Sequence, residues 1–202
     1  KRGGLVSHRR LSNGDDKPYE LNISWWSAME DSSRDAKRFQ YERFILSQLL
    51  VMALKGVPAF YLPALLASEN DIKSFSMTGQ RRDLNREKFK SENLSAVLNN
   101  PESNANKNLK YLRNAMDVRS ELKQFHPCSQ MKCLSKGRSD IVVIKRGKGP
   151  ESVFAIHNMT ENKINYQLND NDLPKIIDND FNTHDFLTST KYNCKNISLD
   201  PF

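Results

Sequence analysis

The chain has 202 residues, 38% hydrophobic and 27% charged, with a formal net charge of +7. That length buries a sizeable core in one large or two small domains, and no run of eighteen uncharged apolar residues offers a transmembrane helix. The 31 lysines and arginines are spread among 24 acids without zinc-finger, RNA-recognition or helix-turn-helix spacing, so neither nucleic acid nor a membrane is expected as a partner.

Lys1 opens the chain without a methionine or a secretory leader, and Phe202 closes it without a polar tail, so both ends read as cut. The Ser12-Asn13-Gly14-Asp15-Asp16 turn precedes Pro18-Tyr19-Glu20-Leu21-Asn22, read as a mobile loop that projects a tyrosine and a carboxylate. Trp25-Trp26 leads into a helix, either as core or as a sugar-stacking platform. Apolar Tyr41, Phe44, Ile45, Leu49 and Met52 recur at helical spacing, which predicts an amphipathic helix over 35–54. Its candidate N-caps are Ser33 and Asp35, Arg34 belongs to its polar face, and Gly56 is its stop. The unbroken apolar run Val57–Leu66 fits a strand buried on both faces, as in a parallel sheet.

A polar segment follows, Gly79-Gln80-Arg81-Arg82-Asp83-Leu84-Asn85-Arg86. A guanidinium offers five donors in a fixed fork, and one locked by the adjacent Asp83 has donors left for phosphate or vicinal sugar hydroxyls. The alternative is a solvated basic loop. Helices are expected over 91–98 and 104–122, with Pro101 between them as a breaker or first-turn proline. After His126-Pro127 the runs 141–144, 153–156 and 164–168 are short and β-rich, separated by turn-forming 145–150 and 160–162, which predicts an antiparallel β domain.

The usual chemical signatures give little. Cys128, Cys133 and Cys194 are scattered and read as reduced structural thiols of a cytoplasmic protein, and no spacing of cysteine and histidine suggests a metal site. Of the four histidines, His157 sits in an apolar strand and reads as a hydrogen-bonded core residue. Neither a nucleophile elbow nor a phosphate-binding or dinucleotide loop occurs, so no cofactor is expected.

Four blocks in order, Gly3-Gly4-Leu5-Val6-Ser7, Pro18-Tyr19-Glu20-Leu21-Asn22, Gly56-Val57-Pro58-Ala59-Phe60-Tyr61 and Arg82-Asp83-Leu84-Asn85-Arg86, resemble the sucrose phosphorylase group of glycoside hydrolase family 13. Leu62–Ser68 and Thr78–Asp83 are similar to its glucosylglycerate phosphorylase branch. The resemblance implies an α/β fold: residues 1–126 as the C-terminal portion of a (β/α)8 barrel around strands 7 and 8, and residues 127–202 as a truncated antiparallel β domain. It implies retaining glucosyl transfer from an α-glucoside to inorganic phosphate, giving glucose 1-phosphate, by two carboxylates that the family places upstream of Gly3. No catalytic residue is therefore assigned here. The site residues implied are Arg82, holding the glucosyl unit, with Tyr19 and Glu20 on the loop that alternates between acceptor and phosphate. Sucrose phosphorylases carry Gln at the position of Glu20 and Asp-Leu at Lys17-Pro18, which puts fructose as acceptor in doubt; Lys17 suits an anionic acceptor such as glycerate or a solvated position. Two other readings stay open, a non-catalytic carbohydrate-binding segment and an amylase-type hydrolase of the same family. The oligomeric state is not legible.

Overall fold

In the computed structural model, described over residues 3–31, 35, 37–135, 137–168, 182–194 and 196–202, the Asn13-Gly14 pair closes a β-hairpin. Gly14 adopts φ +88°, a left-handed conformation that glycine enters without steric cost, and Asn13 Oδ1 accepts from the Asp15 amide at 3.2 Å. Strands β1 (Leu5–Arg10) and β2 (Asp16–Asn22) pair antiparallel, with a register shift between Ser7 and His8. Tyr19 and Glu20 therefore lie on a paired strand, not on the mobile loop expected for them.

Helix α1 (Trp25–Ala28) is capped by Ser24, whose hydroxyl accepts from the Ser27 amide at 3.1 Å. Trp26 is core: its ring meets Phe44 edge-on at 5.2 Å, and Ala64 and Ala67 complete the cluster. Trp25 remains partly exposed.

Helix α2 (Gln40–Ala53) starts later than residue 35. Asp35 caps a turn instead, accepting from the Lys37 amide at 3.2 Å, and Phe39 at φ +55° cannot continue a right-handed helix. Ser33 and Arg34 lie outside the described residues. Gly56, at φ +113°, stands beyond the end of α2 as expected.

The apolar run 57–66 corrects the sequence reading most. It forms no strand: residues 57–61 belong to no helix or strand, and Leu62–Leu65 make helix α3 with Pro63 in its first turn. Val57 is 79% exposed. Pro58 and Pro63 each remove a donor that a central strand needs, while a proline suits a helix start; apolarity alone does not separate the two states. Asn108, fully buried, ties α3 down by donating to Ala64 O at 3.2 Å and Leu65 O at 2.6 Å.

Helix α4 (Ile72–Thr78) was not read from the sequence, although Asp71 caps it by accepting from the Ser74 amide at 2.9 Å. Gly79 at φ +67° ends it, and a 3₁₀ turn over Arg81–Asn85 follows. Helices α5 (Ser91–Asn99) and α6 (Asn104–Glu121) fall where their periodicity put them.

Two compact units result. The first comprises Lys1–Phe44 and Ala59–Tyr111 and contains the hairpin, α3, α4 and the arginine-rich turn. The second comprises Ile45–Pro58 and Leu112–Phe202. Its strands β3 (Met131–Cys133), β4 (Ile141–Arg146) and β5 (Val153–Asn158) form one antiparallel sheet. β6 (Ile164–Tyr166) pairs with β9 (Ile197–Leu199), and β7 (Asn182–His184) with β8 (Lys191–Asn193). Ile141, Val143, Tyr166, Leu168, Cys194 and Ile197 are its core. All three cysteines are free thiols. His157 is buried as expected, but its Nε2 has no hydrogen-bond partner, so it is a core histidine without the bond anticipated for it.

Candidate functional site

The arginine-rich turn is held from beneath by Leu84, whose side chain is 1% exposed, and by the Leu84 carbonyl accepting from the Asp71 amide at 2.8 Å. With Leu84 inward, the arginines before it project toward the hairpin. Arg81 Nη1 donates to the Val6 carbonyl of β1 at 2.7 Å, and Arg82 Nε donates to Glu20 Oε2 of β2 at 3.0 Å. These two bonds span 75 and 62 residues of sequence and bring together the two segments that the sequence singled out separately.

Asp83 does not lock an arginine. It accepts from the Thr78 hydroxyl at 2.7 Å, so the carboxylate that orients Arg82 is Glu20. Glu20 engages Nε, one of the three nitrogens of the Arg82 guanidinium. The Arg82 hydrogen bond and charge are the main cause that holds the Glu20 carboxyl below the usual range, with Asn22 and Arg86 adding to it. Reciprocally, Glu20 first and Tyr19 second hold the Arg82 guanidinium more firmly protonated than usual. Both ends of the pair face solvent, Arg82 at 51% and Glu20 at 30%, and Tyr19 is 61% exposed beside them. An open cation fork with a phenol at its side and a carboxylate behind it suits an oxygen-rich, anionic or polyhydroxylated ligand.

Two residues that the sequence names within its motifs, without a role of their own, take defined places here. Asn22 is fully buried at the end of β2, and its Oδ1 accepts from the Ser7 hydroxyl at 2.7 Å. Asn85, on the far side of the turn from Glu20 in sequence order, lines a cavity of about 290 Å³ with Trp25, Tyr61 and Pro63. The hairpin itself was detectable, since Asn-Gly between two short runs is a strong local signal; the pairing of its strand with the arginine turn was not. Among the described residues no three His, Cys, Asp or Glu side chains are grouped to hold a metal ion, and no helix is long and apolar enough to cross a membrane.

The crystal structure of sucrose 6F-phosphate phosphorylase from Thermoanaerobacter thermosaccharolyticum superimposes with a TM-score of 0.60 at 17% identity, over 78% of this chain and 29% of that one. The fold class is thus that of the α/β barrel enzymes, of which this chain carries the C-terminal part with its antiparallel β region. No family model matches the chain. Glucosylglycerate phosphorylase of Allomeiothermus silvanus is 31% identical over 160 residues, 79% of this chain and 28% of that protein. The enzyme of the same name from Spirochaeta thermophila is 31% identical over 155 residues, 77% of this chain and 24% of that protein. The chain belongs to the sucrose phosphorylase group of glycoside hydrolase family 13. It spans about a quarter of the length of the curated relatives it matches.

Proposed function

We propose that the whole protein is a retaining α-glucoside phosphorylase, and that Arg82, Tyr19 and Glu20 form the part of its sugar- and phosphate-binding wall that this chain supplies. The observation that carries the reading is the Arg82–Glu20 contact at 3.0 Å, which joins the two family blocks into one open site. Residues 1–126 then belong to the barrel and 127–202 to the appended β domain. Glucose leaves the donor on an upstream carboxylate and passes to phosphate, with Arg82 holding donor oxygens while Tyr19 and Glu20 border the entry of phosphate or acceptor.

The acceptor in this proposal is anionic. Lys17 stands directly opposite Arg9 in the hairpin register, both exposed, so two like charges face each other across the strands. Such a pair is destabilising by itself and is relieved by an anion. The names of the glucosylglycerate phosphorylases above fit an acceptor that carries a carboxylate. The three free thiols suit action in the reducing cytoplasm.

The test is phosphorolysis by the full-length protein. Incubation with glucosylglycerate and phosphate is expected to give glucose 1-phosphate, and Arg82→Ala to lower kcat/KM by at least ~100-fold, or about 2.7 kcal/mol. Hydrolysis without glucose 1-phosphate, or near-normal activity of Arg82→Ala, would overturn the reading. Turnover by the 202-residue chain alone is not expected.

A further inference from the structure

We propose that Arg81 is a positioning residue: its bond to the Val6 carbonyl pins the hairpin beside a β-bulge at Tyr19, and the bulge brings the Tyr19 phenol to the same guanidinium that Glu20 holds. The inference rests on the reading of Tyr19 as part of the wall at which phosphate enters, and adds the device that aims it.

The bulge shows in the pairing. β1 has six residues and β2 seven, and all six of β1 are paired: Ser7 stands opposite Glu20, and the next residue, His8, opposite Pro18. Tyr19 is thereby left without a cross-strand partner. In a regular strand successive side chains point to opposite faces, so Tyr19 and Glu20 would not meet one group. An extra residue in one strand breaks that alternation and re-aims a side chain. Here both neighbours act on Arg82, Glu20 through the hydrogen bond to Nε at 3.0 Å and Tyr19 as a further cause of its firm protonation. Pro18, which has no amide hydrogen for the ladder, directly precedes Tyr19, and a bulge is a place where a strand tolerates proline.

Two consecutive arginines hold this irregularity from the turn, one on each strand. Arg82 grips β2 at Glu20, and Arg81 Nη1 grips β1 at the Val6 carbonyl, 2.7 Å away and one residue before Ser7, where the register shifts. A two-stranded ribbon fixed at one point can pivot about it. Fixed on both strands, it keeps Tyr19 at one distance from the turn. Arg81 is itself exposed, and its contact is one N–H to one carbonyl, so a lysine ammonium can replace it.

Steady-state kinetics of the full-length protein, with inorganic phosphate as the varied substrate, tests this. Arg81→Met is expected to raise KM for phosphate about fivefold with kcat changed by less than about twofold, and Arg81→Lys to recover most of the loss. In a Tyr19→Phe background, which removes the hydroxyl that the bulge aims, adding Arg81→Met is expected to change KM by less than about twofold. Equal effects of Arg81→Met in both backgrounds would show general support of the fold and overturn the proposal, as would no effect in either. Tyr19→Phe by itself separates the two readings: if it raises KM for phosphate and Arg81→Met does not, only the positioning role fails; if it leaves phosphate use unchanged, the reading of Tyr19 as part of the phosphate entry fails with it.

Discussion

Arg119 and Arg146 approach the same ring, that of Phe125, at 5.3 and 5.2 Å, and between them take the carbonyls that end helix α2. Arg146 Nη1 donates to Ala53 O at 3.0 Å and Leu54 O at 2.6 Å, its Nη2 to His126 O at 3.1 Å, and Arg119 to Met52 O and Gly56 O. The last carbonyls of a helix lack intrahelical donors and carry its negative dipole end, so two cations replace the usual cap. Among the described residues neither arginine is paired with a carboxylate, and burial lowers the pKa of both guanidiniums. Arg146 is fully buried, so Arg146→Ala is expected to destabilise the protein by about 3 kcal/mol, because three carbonyls lose their donor inside the fold. Arg146→Lys should recover less than half, since an ammonium cannot reproduce the planar fork. Urea unfolding midpoints check both.

The Glu20–Arg82 pair predicts a titration. Arg82 holds the folded-state pKa of Glu20 below its unfolded value, so the contribution of the pair is present above the ordinary carboxylate range and is lost as pH falls through the depressed folded value. Carboxyl-carbon NMR is expected to show Glu20 titrating below an ordinary glutamate, and Arg82→Gln to move it upward.

His157 predicts the stability profile at mildly acid pH. Burial depresses its pKa to about 4, from an ordinary value near 6.5. The unfolded chain therefore binds a proton that the folded one refuses, and stability is full above the unfolded value and falls as pH drops from about 6.5 toward 4, by about 3 kcal/mol at most. Comparing urea midpoints at pH 7 and pH 4.5, His157→Phe should remove that part of the pH dependence.

Leu84 links packing to the site. Leu84→Ala deletes a buried side chain beneath the arginine turn and is expected to cost about 2–4 kcal/mol. The same change should release the Arg81–Val6 and Arg82–Glu20 contacts, raising KM for phosphate and speeding amide exchange across 81–85.

Much of the secondary structure was legible because periodicity and local chemistry coincide. Helices α5 and α6 show their apolar spacing, and β4, β5 and β6 are short β-branched runs between glycine- and asparagine-rich turns. Val57–Leu66 was misread because an unbroken apolar run carries no period, and its two prolines were the stronger signal. The turn-forming residues before Tyr19 and Glu20 favour a loop locally, and only the partner strand β1 makes their strand evident.

By itself, the sequence determined the family blocks, the helices with clear periodicity and the identities of Arg82, Tyr19 and Glu20 as polar groups suited to an oxygen-rich ligand. Tertiary structure alone decided that Glu20, and not the neighbouring Asp83, is the carboxylate that orients Arg82, and that Asn22, two residues further along the same strand, is fully buried. The reason is physical: propensity and periodicity act over a few residues, whereas a charged fork selects its partner by distance in space, here across 62 positions of chain.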